Sequence, residues 1–342
     1  TAQSDTAFSC GYSQLSGDEQ QLYREILNSL LSCQEETELS VKDPEMVERV
    51  FRYVMADHPE IFYADGYEVT TYRLGTELRR ITFTGTWTLE SDEVLSRRAQ
   101  LEAAAALWLE GLPDGTDDFE KAKYIYDALI LRTEYEQGSA DSQTICSVLL
   151  NQRSVCQGYA KTFQYLCQLA GIPAMLVTGD VNGEGHAWNI VFLDGDWYYI
   201  DPTWGDASYQ REEGEETPAL TETVNYDYFC VTTQEIERTH SMDDNQLLPV
   251  CNAVQDQYYR HEGLYLQSAD KEKIDEIFAR AAQKGAPMVC FQCADDTVYQ
   301  EVYRLLIEEQ GIFAYLPESE TTAAYLDSDR ERTFYFWFTE VS

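Results

Sequence analysis

Cys156 opens a run whose apolar residues recur at helical spacing. Tyr159, Phe163, Cys167 and Ala170 share its face over Val155–Ala170, and Gly171 with Pro173 stops the run. A cysteine in the first turn of a helix lies among unpaired backbone N–H groups, at the positive end of the dipole, which favours thiolate. A nucleophilic cysteine also needs a base to move its proton and a group to orient that base. Without them, Cys156 reads as a small residue of the core.

The chain has only four histidines: His58, His186, His240 and His261. His186 starts a strand, His186–Leu193, that runs into Asp194-Gly195, a hairpin signal, and returns through Trp197–Ile200. With a two-residue loop Leu193 faces Asp196 and Trp188 faces the position of Asp201. His186 lies two residues from Trp188, on the same face, so His186 and Asp201 become diagonal neighbours at roughly 7–8 Å between backbones. A loop one residue longer would put Asp201 on the opposite face. Spacing alone therefore pairs an imidazole with a carboxylate.

The remaining candidates have plainer readings. Trp188 and Trp204 line an acyl-donor groove or serve as core aromatics, and the sequence leaves both open. His58 before Pro59 reads as a loop or helix-end residue, and His240, on a polar stretch, as structural. His261 has no H-E-x-x-H pattern, and no metal is expected. Asp180–Gly185 carries oxygen ligands but lacks the EF-hand spacing, so it reads as a β-turn. Cys290 and Cys293 form a lone C-x-x-C without a second ligand pair and read as core strand residues. The other cysteines of the nine are expected to be mostly reduced thiols.

The elements that must hold these groups read in three blocks. Residues 1–110 form a mixed α/β N-terminal region, with helices over Gln14–Ser32 and Pro44–Met55, strands over Tyr67–Tyr72 and Leu78–Leu89, and a long helix from Ser91 to Gly111. Residues 111–250 hold the Cys–His–Asp constellation, with a helix at Lys121–Leu131, a strand at Ala174–Gly179 and a turn at Asn182–Gly185. Arg211–Glu222 is a polar, acidic loop. Residues 251–342 give a β-α-β-α-β pattern, a small α+β domain without a chemical motif.

Three linked motifs then carry a resemblance. Ser154-Val155-Cys156-Gln157-Gly158-Tyr159-Ala160, Gly185-His186-Ala187-Trp188-Asn189 and Trp197-Tyr198-Tyr199-Ile200-Asp201-Pro202-Thr203-Trp204 together resemble the transglutaminase-like superfamily of papain-like cysteine enzymes, in its bacterial exported branch. The resemblance implies an α+β fold with a transglutaminase-like core. It implies Cys156 as nucleophile, His186 as general base and acid, and Asp201 as the residue that orients His186. A thiolate would attack a peptide or side-chain amide, an amine or ammonia would leave, and water or a second amine would resolve the thioester. The oxyanion would rest on the Cys156 backbone N–H plus a second donor, with Gln157 adjacent. Animal transglutaminases place a Trp upstream of the cysteine for this step, and no Trp lies between Trp108 and Cys156. That departure favours thiol hydrolysis over crosslinking. No cofactor is implied, and the partner is a protein or peptide substrate.

Composition narrows the remainder. The formal net charge is −37, from 24 Lys+Arg against 61 Asp+Glu, which excludes a phosphate-binding footprint and so nucleic acid. The chain is 44% hydrophobic, ample for a buried core, so the charge does not imply disorder. Its longest apolar run, Ala103–Leu109, is far short of the ~18 residues of a membrane span. The start Thr1-Ala2-Gln3 reads as a trimmed N-terminus and the acidity as that of an extracellular or cell-surface protein. Ile145–Ile200 is quieter, with Arg153 and Lys161 against Asp180, Glu184, Asp194 and Asp196. A thiolate prefers such a neighbourhood, since nearby negative charge raises its pKa. The alternative from another class is a non-catalytic exported binding or scaffold protein reusing the same fold.

Overall fold

Two tight turns organise the central sheet. Asn182-Gly183 and Asp194-Gly195 both adopt positive φ at their two central residues (55° and 86°; 49° and 104°). Such turns match the twist of the strands they join. They fold Ala174–Val181, Glu184–Leu193 and Asp196–Ile200 into an antiparallel meander. His240–Met242 adds beside Ala174–Val181 and Phe229–Val231 beside Asp196–Ile200, completing a five-stranded sheet. The computed structural model describes residues 10–112, 115–206, 224–243, 246, 248–316 and 323–337, apart from the side chain of Cys10. The acidic loop at Arg211–Glu222 lies outside them.

The helix Cys156–Leu169 packs against this sheet. Its buried face, Tyr159, Phe163, Leu166 and Cys167, joins Phe119, Ile125 and Leu129 of the helix Asp118–Arg132 and Val191, Leu193 and Tyr198 of the sheet in one cluster. The far side of the same helix is tied to the N-terminal region. Gln164 Nε2 donates to the Ala56 carbonyl at 2.8 Å and Gln168 Nε2 to the Asp57 carbonyl at 3.0 Å.

Those carbonyls end the helix Pro44–Asp57, which Asp43 caps through the N–H groups of Glu45 and Met46. This helix, the helix Gly17–Leu31 and a three-stranded sheet (Thr37–Glu38, Glu77–Trp87, Ala64–Leu74) enclose a separate apolar cluster around Tyr23, Val50 and Phe83. A further, four-stranded sheet lies C-terminal: Tyr265–Leu266, Met288–Cys293, Thr333–Trp337 and Ala324–Ser328, in that order, with Lys271–Lys284 and Asp296–Tyr303 as its helices. The first two strands are parallel and the others antiparallel. This is the β-α-β-α-β pattern read from the sequence. Cys290 and Cys293 are buried on its second strand, one in the central cluster and the other in the C-terminal one. All eight described cysteines carry free thiols. No helix among the described residues is long and apolar enough to cross a membrane.

Candidate active site

Cys156 is the first residue of its helix, after Val155 at φ −116°, ψ 178°. No described acceptor takes the backbone N–H of Cys156 or Gln157, because the helical bonding begins with Gly158 and Tyr159 onto the Val155 carbonyl. Gly158 is required by space. A Cβ there would sit 2.0 Å from Ser154 Oγ and 2.8 Å from the Ser142 carbonyl, so only glycine lets the preceding loop close over this end of the helix.

The hairpin keeps the two-residue register, with Leu193 opposite Asp196 and Asn189 opposite Ile200. Its strand then ends, and Asp201 turns into the cap of a one-turn helix, Pro202–Gly205. Pro202 fits that first helical position, since its fixed φ suits the helix and its missing N–H costs nothing there. Asp201 Oδ1 accepts from the N–H of Thr203 (2.9 Å) and Trp204 (3.2 Å). Its own N–H donates to the Tyr228 carbonyl at 3.0 Å. Oδ2 remains free to face the imidazoles, and His186 Nε2 lies 2.7 Å from it.

His186 bridges this carboxylate and the thiol. Nε2 is committed to Asp201, which leaves Nδ1 as the ring nitrogen available to a proton from Cys156, a residue close enough to act on the ring's titration. Burial pulls its pKa down, but Asp201 and then Cys156 outweigh burial and raise it to about 10. The Asp201 carboxyl is fully buried, which opposes its charge, yet His186 and His240 hold its pKa well below the usual carboxylate value.

A second imidazole on the same oxygen escapes sequence reasoning. His240, read there as structural, places Nε2 3.0 Å from Asp201 Oδ2 and Nδ1 2.7 Å from Thr239 Oγ1. It is buried in a box of rings, with Trp188, Trp204 and Tyr228 at 4.9, 5.1 and 5.7 Å between centroids. Its strand has three residues, too few to show an alternation, and pairs with a segment about sixty positions away. The available signal was Gly179, opposite His186 on one side and Met242 on the other. A Cβ there would fall 2.0 Å from the Ser241 carbonyl, so glycine is what lets this strand approach. His186, Asp201 and His240 stand close enough to be weighed as metal ligands, but the ring nitrogens and carboxylate satisfy one another by hydrogen bonds.

The other expected residues fall out unequally. Trp188 is fully buried and stacked on His186 (5.8 Å, 21°), so it is a core aromatic bracing the imidazoles and leaves no surface for a groove. Trp204 is partly exposed and packs on Tyr228 and His240. Gln157 is partly exposed beside Cys156. Asp180–Gly185 is a turn, with Asp180 Oδ1 accepting from the Gly183 N–H at 2.7 Å.

Comparison with known proteins agrees with the residues. The transglutaminase-like superfamily profile matches residues 109–202. Human kyphoscoliosis peptidase is 33% identical over 111 residues, covering 28% of this chain and 17% of that protein, and the mouse protein is 32% identical over the same shares. The chain thus spans about a sixth of the length of these relatives. Among solved structures, one described as a TGase superposes with a TM-score of 0.30 and 14% identity, covering 45% of this chain and 48% of that one. The periplasmic domain of TgpA from Pseudomonas aeruginosa gives 0.26 and 17%, covering 43% and 66%. Both superpositions are partial and add no weight. The profile match and the three motifs fall on the same stretch: residues 109–202 are similar to the transglutaminase-like superfamily, set in an α+β chain whose flanking units that match does not reach.

Proposed function

We propose that the protein performs thiol-dependent acyl transfer or hydrolysis at peptide or side-chain amide bonds, with Cys156 as nucleophile, His186 as proton carrier and Asp201 as its orienting partner. The observation that carries this reading is His186 held at 2.7 Å by the buried Asp201, with Cys156 at the start of the helix Cys156–Leu169 among the groups that raise the ring's pKa. With its pKa raised to about 10, His186 is imidazolium at neutral pH, the form that stabilises a thiolate and can protonate a leaving amine.

In the reaction, Cys156 Sγ attacks the amide carbonyl carbon and the carbonyl electrons move to oxygen. The unpartnered N–H groups of Cys156 and Gln157 are the nearest donors to the sulfur's own backbone and are our candidates for the oxyanion. Collapse breaks the C–N bond, and the amine leaves with the proton from His186. The thioester is then attacked by water or an amine, which gives its proton back to His186. The substrate is a protein or peptide, and the acidic surface supports an exported location.

Alkylation by iodoacetamide at mildly acidic pH tests the assignment without a known substrate. Cys156 should react faster than any other thiol, and His186→Ala should slow it by about 100-fold or more. If Cys156 behaves as an ordinary thiol and His186→Ala changes nothing, the enzyme reading falls and the non-catalytic scaffold replaces it. Amine incorporation into a glutamine-bearing protein, against peptide cleavage without it, then separates transferase from protease.

A further inference from the structure

We propose that His240 is a positioning residue for this site, a fixed donor that holds Asp201 in place through a proton on Nε2 while His186 serves the thiol. The proposal rests on the reading of Cys156, His186 and Asp201 given above.

The geometry assigns different duties to two chemically identical rings. Both Nε2 atoms meet Asp201 Oδ2, at 2.7 Å from His186 and 3.0 Å from His240. His186 has one ring nitrogen left over, and Cys156 is among the groups that act on that ring. His240 meets the Thr239 hydroxyl with its own, at 2.7 Å, and that hydroxyl also donates to the Ile236 carbonyl at 3.4 Å. Asp201 Oδ2 belongs to a carboxylate held well below its usual pKa, which can only accept, so the 3.0 Å contact requires a proton on His240 Nε2 and is a donation by that ring. The side chain has no exposed surface and is held between Trp188, Trp204 and Tyr228.

Counted in full, the carboxylate accepts from two imidazoles and two peptide N–H groups. Four donors on one buried carboxylate fix its position as well as its charge. The other titratable groups that face it are Tyr126, whose hydroxyl lies 3.4 Å from the Asp201 carbonyl, then Cys156 beyond His186 and Tyr228 beyond His240. None of these donates to the carboxylate, so His240 has no substitute there.

The test compares His240→Phe, which removes the donor and keeps a ring, with His240→Gln, whose side-chain amide can restore it. The first readout is the carboxyl 13C shift of Asp201 followed by NMR as pH falls. In the wild type and His240→Gln, Asp201 should stay ionised well below the usual ~3.9 for aspartate. In His240→Phe its titration should move up by at least one pH unit. The second readout is the rate of Cys156 alkylation. Its acid limb should move up in the same direction for His240→Phe and return for His240→Gln, with thermal stability tracked alongside.

A packing role alone would lower stability in both variants and leave the Asp201 titration where it was, and that result overturns the proposal. So does a long-range 15N spectrum placing the His240 proton on Nδ1. Gly179→Ala gives an independent route, since it pushes the His240 strand outward without touching a polar group of the site. It should reproduce the His240→Phe shift, and an unmoved Asp201 titration would again count against us. If Cys156 proves an ordinary thiol while Asp201 titrates as described, the proposed function fails and the positioning of Asp201 by His240 stands.

Discussion

Two buried aspartates twenty-six positions apart respond oppositely to being buried. Asp201 has its pKa pulled far down, whereas Asp227, also buried, has its pKa raised. Both accept several hydrogen bonds. Asp227 takes the hydroxyls of Tyr259 (2.6 Å), Tyr335 (3.0 Å) and Thr333 (3.1 Å). The difference is in the donors. Two imidazole N–H groups and two peptide N–H groups at a helix start converge on Asp201 with a net favourable potential for its charge; the hydroxyls on Asp227 do not offset its desolvation. The first arrangement keeps a charge ready for chemistry. The second is a seam, where the core segment Asn225–Tyr228 meets the C-terminal strand Thr333–Trp337 through a shared polar network that includes Asn225 and the two tyrosines, 2.6 Å apart. Glu331 belongs to that seam: Tyr228 donates to it at 3.2 Å, and its pKa is pushed up to about 7, first by burial and then by Asp227.

Breaking the comparison at the site should have the largest effect. Asp201→Asn removes the charge that sustains the imidazolium, and the rate of the thiol reaction should fall on the order of 10³-fold or more. The same change at Asp227 should leave that rate within a factor of a few, and equal losses from both would erase the distinction.

Next comes pH. A carboxyl whose folded pKa is raised stabilises the fold fully below its unfolded value and loses that contribution as pH rises. Stability measured by denaturant should therefore decline between about 4.3 and 7, by at most about 4 kcal/mol from Glu331. Glu331→Gln should flatten this window, and a slope that persists in the variant would place its origin elsewhere. His186 acts at higher pH. Its contribution is present below about 6.5 and is lost as pH rises to about 10, so His186→Ala should remove a separate, alkaline slope.

Smaller still, Tyr335→Phe strips one hydroxyl from both Asn225 and Asp227, and should cost about 1–3 kcal/mol in equilibrium unfolding. The smallest shift belongs to Asp227→Asn, where an uncharged acceptor of the same shape should stay within about 1 kcal/mol of the wild type. A loss of several kcal/mol there would mean that Asp227 carries a compensated charge after all.

The legible part of this molecule was its local part. The cap at Asp43, the turns at Asn182 and Asp194, and the meander they join are all set by neighbours in the chain, and the His186–Asp201 contact follows from strand periodicity. Across the hairpin a period of two fixes the face. His240 was hidden for the opposite reason. It reaches Asp201 through a pairing with Ala174–Val181 that no local pattern announces, and its role depends on space left by a missing Cβ at Gly179. The tyrosine seam escaped likewise, since Tyr259, Thr333 and Tyr335 look like ordinary core residues until Asp227 lies between them. Trp188 illustrates a milder ambiguity: its face was readable, but whether that face is open or covered depends on the Phe229–Val231 and His240–Met242 strands and their loops.

The two glutamines on the outer side of the cysteine helix bear on portability. Gln164 and Gln168 find their acceptors in the carbonyls that end Pro44–Asp57. The superfamily segment, 109–202, includes the donors and omits the acceptors, and it closes before His240. Transplanted alone, that segment would carry its nucleophile on a helix whose Gln168 amide has lost its acceptor, whose Gln164 amide keeps only the longer bond to the Ala174 carbonyl, and whose buried carboxylate lacks three of its four donors, Thr203, Trp204 and His240. The stretch that matches the superfamily is smaller than the set of residues that holds its site together.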